Sequence, residues 1–116
     1  MPTLKSPQIK VGLTIGDPAG IGPAIVLKAL KQLKGKAHFT VIGNSFVLSR
    51  AARVLKIKLN SFELVDLNNI KPNRFSSGRM TAECGRASLE YLDRAVELLK
   101  KKKIDCLVTC PVSKEA

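Results

Sequence analysis

The apolar run Ile9–Ile15 leads directly into Gly16-Asp17-Pro18-Ala19-Gly20-Ile21-Gly22-Pro23, and this junction constrains the fold more than any other stretch. A segment such as IKVGLTI reads as a strand buried on at least one face. Three glycines permit a sharp turn and let another group approach the backbone closely. Pro23 suits the first turn of a helix, where its missing N–H is not needed. The helix that follows presents free N–H groups and the positive end of its dipole, which together suit an anion. Strand, glycine-rich turn and helix in that order form a cradle for a phosphate or nucleotide, and they point to an enzyme. Gly16, Asp17, Gly20 and Gly22 are therefore candidate contacts for a cofactor or substrate. The alternative is a turn that only shapes the sheet edge, with Asp17 bonding N–H groups of its own turn.

The pattern continues in the same manner along the chain. Pro23–Lys34 has helical spacing in Ile25, Ala29 and Leu33, with Val26 and Leu30, and Gly35 is placed to end it. Ala37–Ile42 predicts a second strand closing at Gly43. Asn44 or Ser45 can cap a second helix that turns Val47, Ala51, Val54 and Leu55 inward. Leu59–Leu67 predicts a third strand, and Asn68–Arg79 a polar connection rich in turn residues. Thr81 caps a long helix reaching about Lys102, in which Ala87, Tyr91, Ala95 and Leu98 share a face with Leu92 and Leu99. Ile104–Val108 predicts a fourth strand that ends in a Cys110-Pro111 turn. Strands alternating with helices give an α/β class, with a mostly parallel sheet and flanking helices. Ligands of such sheets lie beyond the carboxyl ends of the strands. The loops Gly16–Pro23 and Thr109–Lys114 both follow strand ends, so one edge can hold them both. Lys114 is placed to meet a phosphate as a point charge, with a solvated loop lysine as the alternative.

A chain of 116 residues makes one domain at most. Its aromatic share of 4% leaves the core to aliphatic side chains. No apolar run approaches the roughly 18 residues of a membrane span. The N-terminus has no secretory pattern, which favours the cytoplasm. Cys84, Cys106 and Cys110 form no CxxC, and an odd count here reads as reduced thiols. The formal net charge of +11 raises a nucleic-acid reading. The lysines 28, 31, 34, 36 and 100–103 gather at helix ends, where the dipole favours them, and no aromatic residues interleave with them. A nucleic-acid partner is therefore not expected, although a basic nucleic-acid-binding α/β module stays as an alternative from another class.

Three blocks in register resemble the 4-hydroxythreonine-4-phosphate dehydrogenase family. They are Gly16–Pro23, then Thr81-Ala82-Glu83-Cys84-Gly85-Arg86-Ala87 with Tyr91-Leu92 and Ala95-Val96, then Val108-Thr109-Cys110-Pro111-Val112-Ser113-Lys114-Glu115-Ala116. The resemblance covers nearly the whole chain, yet members of the family are two to three times longer. It implies the N-terminal third of an enzyme, a partial α/β domain over residues 1–116, within an isocitrate/isopropylmalate dehydrogenase-like α/β/α fold. It implies an NAD- or NADP-dependent dehydrogenase of pyridoxal phosphate synthesis. Such an enzyme oxidises 4-phosphooxy-threonine to a keto acid that loses carbon dioxide. It further implies a divalent metal (zinc, magnesium or cobalt), a phosphorylated hydroxy-amino-acid substrate and a homodimer. The family's metal-binding histidines and its histidine-threonine pair fall after the point where this sequence stops. No catalytic or metal residue is therefore assigned within the segment, and His38, the one histidine, matches none of them. Residues after Ala116 are expected to bring a Gly-His-Thr-like motif and further histidines.

The spacing Gly16-x3-Gly20-x-Gly22 also matches the cofactor turn of short-chain dehydrogenases. Three features weigh against that reading. Pro18 and Pro23 stiffen the turn, no acidic residue closes the second strand at Val41-Ile42-Gly43, and Ala95 stands where a Tyr91-x-x-x-Lys pair would need lysine.

Overall fold

The computed structural model describes residues 8–58, 62–70 and 81–110. The strands are β1 (Lys10–Thr14), β2 (His38–Gly43), β3 (Glu63–Asp66) and β4 (Cys106–Thr109). The helices are α1 (Gly22–Gln32), α2 (Ser45–Leu55) and α3 (Ala82–Lys100). The strands form one sheet in the order β3-β2-β1-β4, with every pairing parallel. From β1 the chain steps outward through α1 to β2 and through α2 to β3. It then returns through α3 to the other side of β1. Right-handed crossovers place α1 and α2 on one face and α3 on the opposite face. The packing agrees, since α1 lies against α2 while α3 rests on β1, β2 and β4. The α/β/α arrangement implied by the resemblance is therefore present.

Local chemistry explains where the elements begin. Asn44 caps α2, its Oδ1 accepting from the N–H groups of Phe46 at 3.0 Å and Val47 at 3.3 Å. Thr81 caps α3 through Oγ1, which accepts from the Cys84 N–H at 3.1 Å. Asp66, at the end of β3, accepts from the backbone of Ser45 at 3.3 Å and Asn68 at 2.9 Å. It so ties β3 to the start of α2. Burial raises the Asp66 carboxyl pKa, but hydrogen bonds from the Ser45 side chain and from the Asn68 and Ser45 backbone outweigh it and hold the group below its usual value.

The core is aliphatic, as the composition required, with Ile15, Val41, Ile42 and Leu48 fully enclosed. The α3 face adds Cys84, Ala87, Tyr91 and Ala95. Tyr91 donates its hydroxyl to Asn69 Oδ1 at 2.9 Å, so its one polar atom is satisfied.

Three expectations about side-chain direction need correction. In α1 the buried set is Gly22, Pro23, Val26, Leu27 and Leu30, whereas Ile25 and Leu33 are exposed. Val54 of α2, expected inward, is 77% exposed. Leu99 of α3 is exposed, while Leu98 packs against the core. Strand β3 also starts later than expected, at Glu63. Residues 59–61, most of the polar connection and the Pro111 end of the last turn lie outside the described residues.

Candidate functional site

The strand order reverses direction between β1 and β4. In an open parallel sheet, such a switch point leaves a crevice beyond the carboxyl ends of its two strands. Here those ends carry the two loops singled out in the sequence. Thr14 pairs with Thr109 in register, and the Cys110 N–H donates to the Thr14 carbonyl at 3.3 Å. The Gly16–Pro23 turn and the exit of β4 therefore meet at one edge of the sheet.

Each residue of the turn has a separate task. Gly16 has φ of 70°, the left-handed region in which a side chain is strained. Asp17 is 4% exposed. Its Oδ1 accepts from the Ala19 N–H at 2.9 Å, and its carbonyl accepts from the Gly20 N–H at 2.9 Å. The carboxylate therefore closes its own turn. Gly22 packs against β1 so closely that a methyl group there would overlap the Ile15 carbonyl and come within 3.1 Å of Cys110 Cβ. Gly20 differs from both. It is exposed, and an added Cβ would meet nothing nearer than the Asp17 carbonyl oxygen at 3.4 Å. The glycine required for close packing within the protein is thus Gly22, and Gly20 leaves its backbone open to solvent.

No side chain caps the N-terminus of α1; its first position outside the helix is Ile21. Beside it runs a shallow groove of about 210 Å³ between the turn and α2, lined by Pro18, Gly20, Pro23, Val47 and Arg50 among others. Arg50 did not emerge from the sequence. Its spacing of three residues from the buried Val47 was the available signal, because residues three apart share a helix face. Open backbone, an uncapped helix end and a nearby guanidinium form a polar rim suited to a phosphate or carboxylate.

Cys110 lies under this rim, buried, with Sγ 3.8 Å from the Gly22 carbonyl. Burial pushes its thiol pKa up, so it stays protonated at neutral pH and acts as packing rather than as a nucleophile. All three cysteines are free, as expected from their spacing. Lys114 lies outside the described residues.

The described residues do not fit a metal ion. No three of His, Cys, Asp and Glu gather among them. His38 opens β2, at the opposite end of the sheet from the switch point, and its Nε2 lies 3.3 Å from Glu63 Oε1. Tyr91 is wholly buried in the α3 face and cannot meet a substrate there.

The family model described as "Pyridoxal phosphate biosynthetic protein PdxA" matches residues 35–116. The chain belongs to this family. Among curated relatives of this PdxA-family chain, a protein of Fusobacterium nucleatum named as a candidate D-threonate 4-phosphate dehydrogenase is 31% identical over 94% of the chain and 38% of its own length. One of the same name from Oceanobacillus iheyensis is 36% identical over 91% of the chain and 37% of its own length. The crystal structure of a 4-hydroxythreonine-4-phosphate dehydrogenase from Burkholderia phymatum superposes with a TM-score of 0.85 at 29% identity, covering 96% of this chain and 38% of the other. A terephthalate 1,2-cis-dihydrodiol dehydrogenase from Burkholderia xenovorans gives 0.79 at 32%, covering 92% and 35%. The chain thus spans under two fifths of the relatives it matches. These relatives carry dehydrogenase names, and the match gives no support to the short-chain dehydrogenase or nucleic-acid readings.

Proposed function

We propose that this chain is the N-terminal segment of an NAD- or NADP-dependent dehydrogenase acting on a phosphorylated four-carbon hydroxy acid. The observation that carries the reading is the meeting of the Gly16–Pro23 turn with the carboxyl end of β4 at the switch point of the sheet. The substrate class follows from the relatives' names, which share a carboxylate at one end and a phosphate at carbon 4. In this reading the pathway is pyridoxal phosphate synthesis when the substrate is 4-phosphooxy-threonine. D-threonate 4-phosphate is the second candidate, since it is named for the curated relatives.

The reaction moves a hydride from the hydroxyl-bearing carbon and a proton from its oxygen. A nicotinamide, when bound, takes the hydride. This segment's own part is to bind and orient. The first N–H groups of α1 receive an anionic group of cofactor or substrate, Gly20 leaves room for its approach, and Asp17 keeps the turn rigid. Gly16 and Gly22 serve by shaping that turn, and Lys114, outside the described residues, is the candidate for a further positive charge. The metal (zinc, magnesium or cobalt), the base, the homodimer contact and a cytoplasmic setting belong to the proposal for the whole protein.

The test is an assay of the purified full-length protein with each of the two phosphorylated acids, NAD or NADP and a divalent cation. Reduced nicotinamide should form with at least one acid and not with its dephosphorylated form. Failure with both acids in every cofactor and metal combination would remove the reading.

A further inference from the structure

Every charge in residues 18–62 is positive. That span supplies both helices of one face of the sheet. At the amino ends of the strands, away from the switch point, a cleft of about 420 Å³ opens between the end of α1 and the exit of α2. Lys31, Lys34, Lys56 and Lys58 ring it, all of them exposed. Its floor is apolar: Leu27 and Leu30 are buried, and Ile57 and Phe62 are half-buried.

Helix dipoles account for only part of this charge. Two helix C-termini contribute roughly half a negative charge each, about one in all, against four lysines. None of the four pairs with a carboxylate among the described residues. Strand alternation turns the nearest acid in sequence, Glu63, to the opposite face, where it meets His38. Lys56 also holds a left-handed backbone, φ 57°, at a cap position where glycine is the easier choice. The cleft therefore carries a surplus of positive charge above an apolar floor, and that surplus is self-repelling without an anion.

We infer that this cleft binds an organic polyphosphate, with phosphates on the four ammonium groups and an apolar or aromatic body against Ile57 and Phe62. The site is separate from the switch-point edge and independent of the dehydrogenase reading. Its volume lies within the range of small-molecule pockets.

The test is calorimetric titration of the purified full-length protein with ATP, with NAD and NADP saturating so that any dinucleotide site is filled. ATP is expected to bind one-to-one, more tightly than tripolyphosphate, with affinity that falls as salt rises. The double variant Lys34→Gln/Lys58→Gln should weaken ATP at least tenfold and leave NAD binding unchanged. Without ligand and at low salt, the same variant should melt at an equal or higher temperature than the parent. Absence of ATP binding, or binding that ignores the double variant, overturns the inference. Equal affinity for tripolyphosphate refutes the role of the floor. A lower melting temperature refutes the charge surplus, and tighter binding of a random oligonucleotide than of ATP refutes the small-ligand class.

Discussion

At the scale of the residue, two neighbouring glycines differ in kind. Gly22 is held against the Ile15 carbonyl, so Gly22→Ala must push α1 away from β1. In the full-length protein this substitution is expected to cost about 1–3 kcal/mol or more, the range for overpacking a tight contact. Thermal unfolding beside Ser49→Ala, on an exposed position of α2, measures it; equal melting of the two variants would refute the close contact. The sequence marked Gly16, Gly20 and Gly22 alike. Spacing shows that a turn needs glycine, but not which glycine meets the opposing backbone, since that depends on where α1 lands on β1. The thiols also separate at this scale. Cys106 is exposed, whereas Cys84 and Cys110 are buried. Iodoacetamide at neutral pH should label Cys106 in the native protein and reach Cys110 only on unfolding. Mass spectrometry of the alkylated peptides checks this, and fast native labelling of Cys110 would contradict its packed role.

At the scale of the element, strands and helices were legible because their signals are local. Thr81 was read as a cap and acts as one, and of the two candidates Asn44 and Ser45 it is Asn44 that caps α2. What failed was the rotational phase of α1. Apolar residues cover most of its circumference, from Ile21 through Ile25, Leu27, Ala29 and Leu33, so a 3.6-residue period admits more than one buried stripe. Contact of Gly22 with β1 decides the phase, and that contact is made across the chain. Asn44→Ala should destabilise the protein by about 0.5–2 kcal/mol, the usual loss of an N-cap, with denaturant midpoints as the measure. Asp66 gives a pH-dependent counterpart. Its folded pKa is lowered, so its contribution is present above the unfolded carboxyl value near 3.8 and is lost as pH falls through the lower folded value. Asp66→Asn should therefore lose less stability than the parent between pH 5 and pH 3. A parallel pH profile for the two would contradict the hydrogen-bonded role of Asp66.

At the scale of the whole molecule, the sheet carries a switch point, and among the described residues no three of His, Cys, Asp and Glu gather. The described residues offer a sheet edge at the switch point, a packed thiol and a hydrogen-bonded turn. Residues 1–116 alone are therefore expected to show no dehydrogenase turnover with 4-phosphooxy-threonine, NAD and a divalent cation; formation of reduced cofactor above a protein-free control would contradict this. The α/β class with a parallel sheet was legible from the alternation of elements, and the α/β/α layering from the family resemblance. The order β3-β2-β1-β4 was not, because nothing local to Cys106–Thr109 states that it pairs with β1 rather than with β3. In the proposed function a ligand approaches the turn over Gly20 at the switch point. Gly20→Ala in the full-length protein tests it directly, because an added Cβ would meet nothing nearer than the Asp17 carbonyl oxygen at 3.4 Å. Melting temperature should stay near that of the parent while KM for cofactor or substrate rises about tenfold, the equivalent of about 1.4 kcal/mol. Unchanged stability together with unchanged kinetics would show that nothing binds there.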